Sequence, residues 1–203
     1  MDTPIVVIGI DPGQRGAIAS CSTDSRSDVN VLFAEGAAGY YCAGMLGLSA
    51  AVGALTRSAE NAGWDGDRPV VVVLEALGKW RTRHEGVNST FAATRAHQEW
   101  RDAVELLGAR VGQNCEWCLF ERQTQWLDRN AGLKRTTKGG RNRKAEVALF
   151  VGQLAREGRI SLSLDELIPP GMRTLSDGAT DAILFMLAGC RVLCDGPLAG
   201  GGS

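Results

Sequence analysis

The sequence predicts an α/β domain in which a five-stranded mixed sheet is flanked by helices. Three observations predict it. Two short, β-branched, almost wholly apolar runs, Ile5 to Ile10 and Val70 to Leu74, have the composition of strands buried on both faces of a sheet. Each runs directly into a carboxylate, Asp11 or Glu75. Helical spacing then alternates with strand composition along most of the chain.

The first strand, Ile5 to Ile10, ends at Asp11-Pro12-Gly13, whose proline and glycine turn the chain. Gly16 to Cys21 and Val29 to Ala34 read as two further strands of an antiparallel meander. A helix follows over about Ala43 to Ala62, with Leu46, Leu48, Val52 and Leu55 available for its core face. After the second apolar strand, Phe91, Trp100, Val104 and Leu107 space out a long helix from about Asn88 to Leu107. Cys115 to Phe120 supplies the last strand, and Gln123 to Asn130 a short helix. A basic loop feeds a helix of about Asn142 to Arg156, with Val147, Leu149, Val151 and Leu154 as its apolar contacts. Ser176 is placed to cap a final helix from Asp177 to about Leu193.

At 203 residues the chain fits one domain, expected over residues 1–195, with 196–203 as a flexible tail. No apolar run approaches the roughly 20 residues of a membrane-spanning helix, so no membrane partner is expected. Met1-Asp2-Thr3-Pro4 has no targeting character. Of the six cysteines, Cys115 and Cys118 form a C-x-x-C, and Cys190 and Cys194 sit one helical turn apart. Four thiolates of this kind can close a zinc site. The second pair lacks the usual spacing and falls in a strongly apolar helix, so reduced thiols are the expectation.

The net charge of −1 hides an uneven distribution. Arg129, Lys134, Arg135, Lys138, Arg141, Arg143 and Lys144 fall in one stretch that contains no acid. Such a block often marks only a solvated face, but it is also what an anionic partner requires.

The acids are the informative feature. If the strands before Asp11 and Glu75 are parallel neighbours, both carboxylates emerge at the same carboxyl edge, where open α/β sheets bind ligands. Asp177 and Asp181 are four residues apart and share one face of the last helix. The apolar remainder of that helix must pack on the sheet, which keeps its acids near the strand ends. Several carboxylates close together repel by about 4 kcal/mol per pair near a protein surface, so something positive must compensate. Hard oxygen donors favour Mg²⁺ or Mn²⁺ over zinc, and a pair of such ions suits phosphodiester hydrolysis. Taken singly, Asp11 would equally close a turn, and Asp177 would equally favour the helix dipole. Their joint placement favours a site.

Ile8-Gly9-Ile10-Asp11-Pro12-Gly13, Val73-Leu74-Glu75 and Asp177-Gly178-Ala179-Thr180-Asp181-Ala182, in this order, resemble the motifs of RuvC-type Holliday-junction resolvases of the RNase H-like superfamily. The segment from Trp126 to Leu133, followed by a basic loop and helix, looks closest to the chloroplast resolvases of plants and algae. Phage relatives stay open beside them, and with them a cytoplasmic or phage-encoded setting.

The resemblance implies an RNase H-like fold and a homodimer that makes paired, symmetric nicks across four-way junction DNA with Mg²⁺, Mn²⁺ substituting. It implies a chloroplast nucleoid location if the plant and algal likeness holds. Carried over, Asp11, Glu75, Asp177 and Asp181 are the metal ligands, and Lys144 is the catalytic cation on the phosphate near the cut. The basic tract Lys134, Arg135, Lys138, Arg141, Arg143 and Lys144 is the expected DNA contact. The family enters the junction with the loop after the glutamate strand, here Gly78 to Thr90 with Lys79, Trp80, Arg81 and Arg83. Trp80 either stacks on an unpaired base or anchors packing. This chain departs from the bacterial pattern in having Ala76 and Leu77, not an aromatic, directly behind the acid.

Three other readings compete. An actin-like kinase shares the first acidic strand but needs two such domains. A non-catalytic DNA-binding scaffold has no use for four converging acids. A nuclease of the same superfamily acting on RNA or RNA–DNA hybrid has the same motif chemistry.

Overall fold

In a computed structural model of the chain, residues 3–13, 16–33, 47–77, 87–110, 116–134, 143–168 and 175–195 are described, with backbone alone for 33, 87–93, 110 and 195. Five strands lie in them: β1 (Val6–Ile10), β2 (Ala17–Ser22), β3 (Ser25–Phe33), β4 (Val70–Glu75) and β5 (Trp117–Arg122). They form one sheet in the order β3-β2-β1-β4-β5. β1 pairs antiparallel with β2 and parallel with β4, and β4 pairs parallel with β5, so the sheet is mixed as expected.

β1 is at the centre with every residue buried, because helices cover both faces. Val6, Ile8 and Ile10 point with Val70, Val72 and Leu74 toward α1 (Gly47–Asn61) and α2 (Val87–Arg110), where they meet Leu55, Trp100 and Val104. Val7 and Val73 face the other way, into a second core with α3 (Thr124–Ala131), α4 (Arg143–Arg156) and α5 (Asp177–Asp195). The centre of that core is α5, whose Ala182, Ile183, Leu184, Phe185 and Met186 have no exposed surface. Two glycines let α5 approach this closely. A Cβ on Gly9 would lie 2.2 Å from the Ala182 carbonyl oxygen, and one on Gly189 would lie 2.7 Å from a Val73 methyl.

The structure differs from the sequence expectation in several details. β3 starts at Ser25 rather than Val29, because Thr23 and Asp24 make a tight turn that pairs Ser22 with Ser25. β5 starts at Trp117 and continues past Phe120 to Arg122, because the parallel ladder on β4 runs through Glu75. The final helix extends to Asp195. Leu48 and Leu149, expected in helix core faces, are exposed, Leu149 by 67%. In α1 the core face is carried by Ala51, Val52, Ala54, Leu55 and Ala59 instead. In α4 it is carried by Val147, Val151 and Leu154. Leu46, Cys115, Asn142, the start of the first helix and the expected tail lie outside the described residues. Among the described residues no helix is long and apolar enough to cross a membrane.

Candidate active site

The register of the two central parallel strands sets the first pair of acids. Ile10 is level with Leu74, so Asp11 and Glu75 are the next residues on adjacent strands at one edge of the sheet. Asp11 is held in a turn: its backbone N–H donates to the Ala17 carbonyl at 3.1 Å, and its Oδ1 accepts from the Gly13 N–H at 3.1 Å. Turn closure is therefore one of its tasks. Glu75 Oε1 accepts a hydrogen bond from the Thr124 hydroxyl at the start of α3. The Glu75 carbonyl lies 3.0 Å from Nε2 of the buried His97, which donates because a carbonyl can only accept.

The second pair of acids arrives on α5. Gly178 in its first turn bridges to Gly16, at the start of β2, which brings the helix start to the Asp11 turn. Capping is done by Ser176, whose Oγ accepts from the Ala179 N–H at 3.2 Å. Asp177 is thus in the first turn without being the cap, and its Oδ2 is 2.9 Å from Lys144 Nζ. Asp181, one turn further in, is nearly buried and lies 2.7 Å from Nη1 of Arg143.

The charges of these groups register one another. Lys144 holds its proton above the ordinary lysine range, chiefly through the hydrogen bond to Asp177 and then through the fields of Asp177, Asp181 and Asp11, with burial opposing. The carboxyl of Asp181 is pushed up to about 6. Burial is the main cause and prevails over the opposing Arg143, with smaller upward contributions from the Glu75 and Asp128 charges. Burial also works against the charge of Arg143, yet Asp128 and Asp181 hold its pKa above the ordinary value. Acids from β1, β4 and α5 therefore share one electrostatic neighbourhood with two cations from the first turn of α4.

As donors, the four carboxylates suit a hard divalent cation. Lys144 and Arg143 engage the two acids of α5, and among the described residues no three His, Cys, Asp or Glu side chains are closed into a metal-binding group. The donor chemistry fits such an ion, and the Asp177 and Asp181 carboxylates are paired with Lys144 and Arg143.

No protein-family model matches the chain. No curated protein matches it either. Solved structures do. RuvC of Thermus thermophilus in complex with a Holliday junction substrate superposes over 95% of this chain and 96% of its own, with a TM-score of 0.51 and 13% identity. A further structure of Thermus thermophilus RuvC gives a TM-score of 0.52 at 14% identity, over 94% of this chain and 96% of that one. The yeast mitochondrial Holliday junction resolvase gives 0.52 at 12% identity, over 91% of this chain and 77% of that one.

The fold is RuvC-type and RNase H-like.

Within this RuvC-type fold, Asp11, Glu75, Asp177, Asp181, Lys144 and Arg143 come to one edge of the sheet. Arg143 is turned inward, its guanidinium taken up by Asp128 and Asp181 and its side chain 13% exposed. Lys134 is exposed just beyond α3. Lys79, Trp80, Arg81, Arg83, Arg135, Lys138 and Arg141 lie outside the described residues. Sequence reasoning missed Thr124, Asp128 and His97. An i, i+4 pair of polar residues in the short Thr124–Ala131 helix was the available signal for the first two. Of the cysteines among the described residues, Cys190 faces Cys21, sulfur to sulfur at 3.3 Å, while Cys118 and Cys194 are exposed.

Proposed function

We propose that this chain is a divalent-metal-dependent endonuclease that resolves four-way DNA junctions by paired, symmetric nicks. The observation that carries the reading is the gathering of Asp11, Glu75, Asp177 and Asp181 at one sheet edge beside Lys144. The likeness to resolvases, one of them bound to its junction, supports the choice of substrate.

In this reading the four carboxylates hold Mg²⁺, or Mn²⁺ in its place. The bound metal supplies an activated water and charge stabilisation at the leaving 3′ oxygen. Lys144 exchanges Asp177 for the phosphate beside the cut; its exposed, flexible stem permits that movement. Lys134, Arg135, Lys138 and Arg141 follow the backbone of a junction arm, and the loop carrying Lys79, Trp80, Arg81 and Arg83 enters the junction. A homodimer supplies the second active site for the opposite strand. A chloroplast nucleoid setting accompanies the likeness of the Trp126 to Leu133 segment.

The test is a parallel digestion in Mg²⁺ of a synthetic four-way junction, a linear duplex and an RNA–DNA hybrid. The expected result is two symmetric nicks in the junction, giving ligatable duplexes, with duplex and hybrid intact. Cleavage of the hybrid with the junction untouched would overturn the junction reading in favour of a general RNase H-like nuclease. Binding without any cleavage would leave only a scaffold.

A further inference from the structure

α3 is eight residues long, and Thr124 and Asp128 stand one turn apart on it, on the same face. Each reaches one of the acids. The Thr124 hydroxyl donates to Glu75 Oε1. Asp128, whose side chain is 2% exposed, receives one edge of the Arg143 guanidinium, Nε at 3.1 Å from each carboxylate oxygen and Nη2 at 2.8 Å from Oδ1. The remaining nitrogen of the same guanidinium, Nη1, is the one that holds Asp181 Oδ1.

Burying a carboxylate as deeply as Asp128 is unfavourable unless it is fully paired, and an apolar residue would pack α3 against α5 at lower cost. A planar guanidinium can grip one carboxylate by two bonds and still present a fixed donor to another, which a lysine cannot do. α3 itself is firmly seated. Leu127 is fully buried, and the helix closes on Gly132 in a left-handed conformation, with the Leu133 N–H donating to the Asp128 carbonyl.

We propose that α3 is the spacing element of the site, and that Thr124 and Asp128 are positioning residues. Thr124 acts directly on Glu75, and Asp128 acts through Arg143 on Asp181. Together they fix the separation of one carboxylate from β4 and one from α5, two elements that otherwise meet only through packing. The purpose assigned to that separation, holding a divalent cation, rests on the nuclease reading above.

The probe is Mn²⁺ binding to the full chain, followed by isothermal titration calorimetry, alongside the thermal transition of each variant. Thr124→Val keeps the side-chain volume and removes the hydroxyl, whereas Thr124→Ser keeps the hydroxyl. The valine variant should bind Mn²⁺ about tenfold more weakly, the usual range for partners of metal ligands. The serine variant should return to near the wild-type affinity, and in a Glu75→Gln background Thr124→Val should have no further effect. Asp128→Asn should weaken Mn²⁺ by a similar factor. Should that variant not fold, Arg143→Lys carries the same test, because it keeps a charge but cannot span both carboxylates.

Wild-type affinity in Thr124→Val, or equal loss in the valine and serine variants, overturns the positioning role of Thr124. Wild-type affinity in a folded Asp128→Asn or Arg143→Lys overturns that of Asp128. In each of these cases weak binding by Glu75→Gln leaves the nuclease reading standing. Absence of Mn²⁺ binding by the wild-type chain overturns the metal reading, and the spacing proposal with it.

Discussion

Gly9 of β1 lies so close to Met186 of α5 that a Cβ on the glycine would come within 2.4 Å of the Met186 backbone nitrogen. The contact is backbone against backbone, so no side-chain rotation can relieve it. Gly9→Ala therefore has to lift α5 off the sheet, and it separates the acids of α5 from Asp11 and Glu75. Overpacking of this kind costs about 1–3 kcal/mol. Urea unfolding should show a loss of at least that size, and nicking of a four-way junction should fall even under conditions where the variant is fully folded.

Asp177 and Lys144 form an ion pair in which both side chains are more than half exposed. Exposed pairs contribute between about 0 and 1 kcal/mol, and the capping of this helix is done by Ser176. Asp177→Asn should leave the thermal transition of the metal-free protein nearly unchanged. Nicking should fall by roughly 100-fold or more, since even the partners of metal ligands are worth about 10- to 100-fold. A large drop in melting temperature would assign Asp177 to the helix rather than to the chemistry.

The raised Asp181 carboxyl predicts a pH dependence with a definite sign. Its folded value of about 6 lies above the ordinary 3.8, so the folded protein holds this proton more tightly than the unfolded chain does. The stability contributed by the protonated group is complete below 3.8 and is lost as the pH rises through about 6. Asp181→Asn cannot lose that proton. Chemical denaturation of the metal-free proteins across this range should show the stability of the wild type declining relative to the variant. A difference independent of pH would remove Asp181 from the titrating groups.

In the proposed function Lys134, Lys138 and Arg141 follow DNA backbone, whereas Arg143 turns inward to Asp128 and Asp181. Replacing the first three by glutamine should weaken junction binding and flatten its dependence on salt, by close to one unit of log–log slope for each phosphate that is no longer neutralised. Fluorescence anisotropy over a series of salt concentrations reads this directly. An unchanged slope would take the tract out of the interface.

Much of this architecture was visible in the residues because the informative signals are local. Val6–Ile10 and Val70–Glu75 are continuous apolar runs, each ending at an acid, whereas their parallel pairing, across β2, β3 and α1, is a long-range contact that composition alone leaves open. Leu149 shows where local patterning ends. It sits among aliphatic residues in a helix, but only the position of α5 decides which of them are covered. The contacts around the acids were illegible for the same reason. Thr124 and Glu75 are 49 residues apart, and Arg143 and Asp181 are 38 apart. Nothing in the neighbourhood of Arg143 distinguishes it from the other cations of its run, although a buried carboxylate on α3 draws it inward.

The strands that end in Asp11 and Glu75 are the central pair of the sheet, with cores on both sides. Hydrogen exchange is slowest in such strands, because their amides open only when the whole domain does. In the proposed enzyme the hydrolytic groups stand on the part of the molecule least able to drift, whereas the basic and aromatic residues that would choose the DNA lie in sequence between the described strands and helices. Substrate preference can then diverge among such proteins by rewriting loops, and the hydrolytic centre is inherited intact.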